Sequence, residues 1–65
     1  MKSREVIAPL SIRLHLAALC TEHTYTVMVR KTGVSLHTLK TFIDGRHLPT
    51  GVVVTVLEAM REMTL

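Results

Sequence analysis

Aromatic side chains are nearly missing from this chain: it has no tryptophan, one tyrosine and one phenylalanine. Any core must therefore be aliphatic, built from the Leu, Val, Ile, Ala and Met that bring the hydrophobic content to 48%. A single cysteine, Cys20, excludes an internal disulfide framework and fits a reducing, cytoplasmic setting. No apolar run approaches the roughly 18 residues needed to span a bilayer, because Arg13, His15, Thr21 and Thr55 interrupt the longest stretches. No signal peptide, membrane span, internal repeat or low-complexity tract is expected. Catalytic signatures are missing as well, with no carboxylate pair, serine elbow or phosphate-cradling glycine loop. A domain of 65 residues leaves little room for a substrate pocket, so neither an enzyme nor a cofactor is expected.

What is present is an organised middle. In 29–46, VRKTGVSLHTLKTFIDGR, a glycine separates two short apolar-periodic runs. Thr24 is placed to cap a helix that runs through Thr32, with Val27, Met28 and Val29 inward and Arg30 and Lys31 outward. Gly33 can close that helix at φ > 0 without a Cβ penalty. Val34 then enters the core, and Ser35 caps a second helix over 35–44 that ends at Gly45. Leu39 and Phe42 face inward there, while His37, Lys40 and Thr41 lie on the outer side. Helix, glycine turn and short helix with a polar outer face form the helix-turn-helix pattern that enters a DNA major groove.

The flanks support this centre. Residues 1–8 are expected as a flexible arm whose Lys2 and Arg4 can follow a DNA backbone and whose Val6 and Ile7 can pack back onto the domain, the plainer alternative being a frayed terminus. The domain then covers 9–65. Pro9 can open a first helix whose inner face is Ile12, Leu16, Leu19 and Cys20. A second apolar stripe, Leu10, Leu14 and Ala17, is left over to cover the arm or a partner, and a short turn is expected at 21–23. After a basic loop at Arg46 and His47, Pro49 cannot continue a helix. The β-branched run after Thr50 suggests a strand. On a helical wheel, however, Val52, Val53, Val56, Leu57, Met60 and Met63 fall on one arc of about 140°. A fourth helix over 50–63, capped by Thr50, follows.

The formal charge of +3 is unevenly spread. Residues 23–47 carry Arg30, Lys31, Lys40 and Arg46, with His23, His37 and His47, against Asp44 alone. The positive side therefore coincides with the glycine turn, as expected of a surface that meets phosphate. Cys20 and His23 lie three apart, with His15 and His47 elsewhere, but no second pair at ligand spacing follows. A core cysteine and surface histidines are expected, and no metal.

The run RKTGVS at 30–35, the helix LHTLKTFIDG at 36–45 and the R-x-x-P link at 46–49 resemble those of the lambda-repressor/Cro-like helix-turn-helix regulators. Thr24 matches the Ser or Thr that opens their second helix, and the likeness covers residues 10–63. It implies an all-α fold of four or five helices. It also implies that Ser35, Leu36, His37 and Thr41 face bases or phosphates and that Tyr25 touches phosphate. Two positions depart from the pattern: Leu36 replaces a residue that is usually polar, and Asp44 places a carboxylate near the strand backbone. Helix 1 also stands one residue farther from helix 2 than is usual.

Within this reading His37, Lys40 and Thr41 can bond base edges, each good bidentate contact being worth about 1–3 kcal/mol. Leu36 can meet a thymine methyl, and Arg30, Lys31 and Arg46 serve as phosphate contacts. The leading expectation is a small sequence-specific regulator, phage, plasmid or bacterial, that inserts 35–44 into double-stranded DNA as a homodimer. Leu10, Leu14, Ala17, Val54 and Leu65 are the apolar residues left for the dimer contact. The alternative, motivated by Leu36, Asp44 and the second apolar stripe, is a protein-interaction module of the same fold that inhibits another transcriptional regulator.

Overall fold

The computed structural model describes residues 4–63. Four helices and a two-strand antiparallel ribbon follow in the order β1 (Glu5–Val6), α1 (Leu10–His23), α2 (Tyr25–Thr32), α3 (Leu36–Ile43), β2 (Leu48–Pro49) and α4 (Thr50–Met63). Every helix sends at least one side chain to a common centre. Leu16 of α1, Met28 of α2, Leu39 and Phe42 of α3 and Val56 of α4 are the largest fully buried residues. Burying each contributes roughly 1.5–3 kcal/mol relative to exposure. Leu19, Cys20, Val53, Met60 and Ala8 complete the core, so the inner faces expected for α1 and α4 are largely the faces observed. Among the described residues, no helix is long and apolar enough to cross a membrane.

Both ends of α3 are set by local chemistry. After α2, Gly33 adopts φ +74° and its N–H donates to the Val29 carbonyl at 2.9 Å, the αL closure of a helix. The buried Thr32 hydroxyl donates to the Met28 carbonyl at 2.7 Å and accepts from the Val34 N–H at 3.3 Å. It thereby ties the turn to the helix before it. Ser35 opens α3 by accepting from the Thr38 N–H at 3.2 Å. At the far end Gly45 takes φ +78°. Its N–H donates to the Phe42 carbonyl and the Arg46 N–H to the Thr41 carbonyl, both at 3.2 Å. This pair of bonds is the Schellman closure.

Three expectations are corrected. The turn expected at 21–23 is helical: α1 continues through His23, and Thr24 alone separates it from α2. No Gly or Pro stands there to stop it, and Thr21 returns its hydroxyl to the Ala17 carbonyl at 3.0 Å without breaking the helix. The second correction concerns the arm. Residues 4–8 lie on the domain: Glu5 pairs with Pro49 and Val6 with Leu48, and Ala8 is buried. Lys2 and Leu65 lie outside the described residues. The third concerns Thr50, whose hydroxyl donates to the Arg4 carbonyl at 3.3 Å, alongside its N–H at 3.1 Å, instead of capping α4. Arg13 adds a further tie, Nε donating to the Ala8 carbonyl at 3.0 Å.

Gly33 and Gly45 share a backbone conformation but differ in surroundings. A Cβ at Gly33 meets open space, whereas one at Gly45 would press against the terminal guanidinium nitrogen of Arg13. Gly33→Ala should therefore cost about 1 kcal/mol, the αL penalty alone. Gly45→Ala should cost slightly more, because the flexible end of the Arg13 side chain must swing aside. Urea unfolding checks both, and in an Arg13→Ala background the two costs should converge.

Candidate nucleic-acid interface

The exposed side of α3 has two chemically distinct halves. Along the length of the helix, His37, Lys40, Thr41 and Asp44 join Arg46 and His47 of the following loop around one open groove of about 640 Å³. Two permanent cations and two imidazoles thus share this groove with a single carboxylate. A negatively charged strand would meet a positive potential here despite Asp44. Toward the N-terminal end, Leu36 lies beside Tyr25, Thr26 and Val29 of α2, and these four line a smaller apolar groove of about 210 Å³. Leu36 keeps 43% of its surface exposed.

Lys40 joins the halves. It lines the basic groove, and its Nζ also stands 5.7 Å from the centroid of the Tyr25 ring, which lines the apolar one. That separation falls within cation–π range. Tyr25 owes its position to Thr24, whose backbone turns through φ 71°, ψ 154° so that α2 begins at the next residue. Few L-residues tolerate that conformation, and a β-branched one least. The Thr24 hydroxyl accepts from the Val27 N–H at 3.4 Å, a long capping bond that only partly offsets the strain.

The hydroxyls expected at the interface are largely committed to the helix. Ser35 accepts from the Thr38 N–H and shares a 2.9 Å hydrogen bond with the Thr38 hydroxyl. Thr41 is half-buried and donates to the His37 carbonyl at 2.9 Å, leaving only acceptor capacity toward the groove. Free polar groups on this face therefore come chiefly from His37, Lys40, Arg46 and His47.

Of the residues singled out in the sequence, Leu36, His37, Lys40, Thr41, Arg46 and Tyr25 are brought together across these two grooves. Arg30 and Lys31 are not. Both are exposed in the last turn of α2, where cations complement the helix dipole, and Lys31 lines a separate groove with Ala59, Glu62 and Met63. The grooves add His47, Asp44, Thr26 and Val29. Val29, expected from its spacing to face the core, is half-buried and also lines the apolar groove. The spacing of Tyr25, Thr26 and Val29 at i, i+1 and i+4 is the signal that marks this side of α2.

Cys20 sits in the core, and burial pushes its thiol pKa above the ordinary value, which disfavours the thiolate that binds metal or attacks electrophiles. Among the described residues, no three or more His, Cys, Asp or Glu side chains are placed to hold a metal ion. No protein-family model, curated protein or solved structure matches the chain.

Strain at Thr24 is testable. Thr24→Gly removes a conformational cost of about 1–3 kcal/mol at the expense of a few tenths for the cap and about 0.4–1 kcal/mol of unfolded-state entropy. The variant should gain about 1 kcal/mol, raising Tm by roughly 5 °C. Thermal unfolding followed by circular dichroism checks this, and a lowered Tm would mean that the cap outweighs the strain.

Proposed function

We propose that this chain is a lambda-repressor/Cro-like helix-turn-helix regulator that binds double-stranded DNA by inserting α3 into the major groove. The observation that carries the reading is the composition of the α3 face. Lys40, Arg46, His37 and His47 surround one open groove along a short helix held by an αL glycine turn. Phosphate contacts supply most of the affinity in such complexes and base-edge contacts the sequence preference. In this reading Arg46 and His47, on the loop beyond α3, contact the strand backbone, and His37 and Lys40, on the helix itself, contact base edges. Asp44 tempers the attraction and sharpens register, since a strand passing close to it is repelled.

A module of this size covers little DNA, so useful affinity calls for a symmetric dimer reading half-sites about 34 Å apart. Leu10 and Leu14, 59% and 62% exposed on the outer side of α1, are the residues we assign to that contact, with Val54 of α4 contributing. The chain then works in the cytoplasm as a regulator of transcription.

Gel mobility shift against random-sequence duplex and against DNA flanking its own coding region, at two salt concentrations, tests the reading. Affinity should fall with salt at a log–log slope of about −0.9 for each phosphate neutralised. Lys40→Glu should abolish the shift while leaving Tm within about 3 °C, since surface substitutions of this kind change stability by about 0.5 kcal/mol or less. No shift at low salt, or a shift indifferent to salt, would defeat the proposal.

A further inference from the structure

The apolar groove between α2 and α3 has no evident use in phosphate binding, yet it occupies the end of α3 from which base edges are read. We infer that this groove, lined by Tyr25, Thr26, Val29 and Leu36, receives the C5-methyl group of a pyrimidine, so that the protein selects its site partly by a methyl. The inference rests on the DNA-binding reading above.

Three observations lead to it. First, the side of the α3 start that faces the apolar groove has little hydrogen-bonding capacity left for bases, since the nearest free polar side chain, His37, lines the basic groove instead. Ser35 is engaged by the Thr38 N–H and hydroxyl, and the next residue is leucine. Whatever is read there is read by apolar contact. Second, the C5-methyl of thymine is the distinctive apolar group that the major groove offers, and cytosine lacks it. Third, the charge next to the groove suits a nucleic acid better than an apolar peptide. The Lys40 ammonium stands over the Tyr25 ring at the groove's edge, and the basic groove of His37, Arg46 and His47 continues from it. Placing a methyl in the apolar groove leaves Lys40 at the rim, where the base edges and the strand carry acceptor oxygens. A hydrophobic side chain from a partner protein would instead be docked beside a cation with no counterpart.

The same chemistry recognises thymine and 5-methylcytosine, and one experiment separates them. Duplexes selected by the protein from a randomised pool are resynthesised with each thymine replaced in turn by deoxyuridine, and binding is measured for the wild type and for Leu36→Ala. At one thymine per half-site the loss of the methyl should weaken wild-type binding about four-fold, the equivalent of one buried methyl group. Leu36→Ala should bind thymine and uracil duplexes alike. Leu36 is exposed, so the variant retains the fold, and an unchanged thermal transition checks this. Replacing that thymine by 5-methylcytosine, opposite guanine, should bind more tightly than unmethylated cytosine if the methyl is read in either base. Binding indifferent to every uracil replacement would overturn the methyl inference while leaving DNA binding standing. A wild type that shifts no duplex would overturn both, and the groove would pass to a protein partner.

Discussion

Two helices of eight residues, α2 and α3, carry nearly everything the candidate interface presents, and neither is long enough to persist alone in water. Their helicity depends on burying Met28, Leu39 and Phe42 together against Leu16 and Val56. Their mutual angle depends on the turn between them, where Gly33 supplies a positive φ and Thr32 satisfies both the Met28 carbonyl and the Val34 N–H from a buried position. Core and turn act on the same few residues. A loosened turn would expose Val34 and misplace Leu39, and a perforated core would free the helices that the turn joins.

That arrangement explains why the outer face of α3 divides as it does. Its inward positions belong to the core, its first hydroxyl belongs to the cap, and the Thr41 proton belongs to the helix backbone. Only the longer side chains remain free to reach a ligand: Lys40, Arg46 and the two imidazoles on the basic side, Leu36 and Tyr25 on the apolar side. Lys40 couples them through its position over the Tyr25 ring. Thr24 holds Tyr25 in place at the cost of a strained backbone, so the strain sits next to the face proposed to act. The β1–β2 pair, the Thr50 bonds to Arg4 and the bond from Arg13 to Ala8 fasten residues 4–8 to α4 and α1, and Arg13 reaches the turn at the end of α3.

The parts legible in the sequence are those set by neighbouring residues. Gly33, Ser35 and Gly45 mark their turns and cap through local conformational preferences, and the valines and methionines of α4 show their face by their period. What escapes is non-local or depends on the absence of a breaker. The pairing of residues 5–6 with 48–49 joins segments more than 40 residues apart, and no periodicity in a two-residue strand announces it. For the same reason the Thr50 hydroxyl reads as a cap in the sequence, although its partner is Arg4. The single-residue junction at Thr24 escapes because a threonine is a poor candidate for positive φ. As for the interface, spacing alone counts off the outward residues of α3, but it does not give the direction of Lys31. That follows from how α2 packs on α4, which turns the side chain toward Glu62 and away from α3.

In the proposed complex, one face, made by the start of α2, the outer side of α3 and the loop beyond it, meets DNA. Titrating ¹⁵N-labelled protein with duplex DNA and following amide chemical shifts tests this residue by residue, and a duplex of arbitrary sequence suffices. The largest changes should map to Tyr25, Leu36, His37, Lys40, Thr41, Arg46 and His47. Spectra unchanged by DNA at low salt, or changes centred on the exposed side of α4 at Thr55, Glu58 and Glu62, would contradict the account.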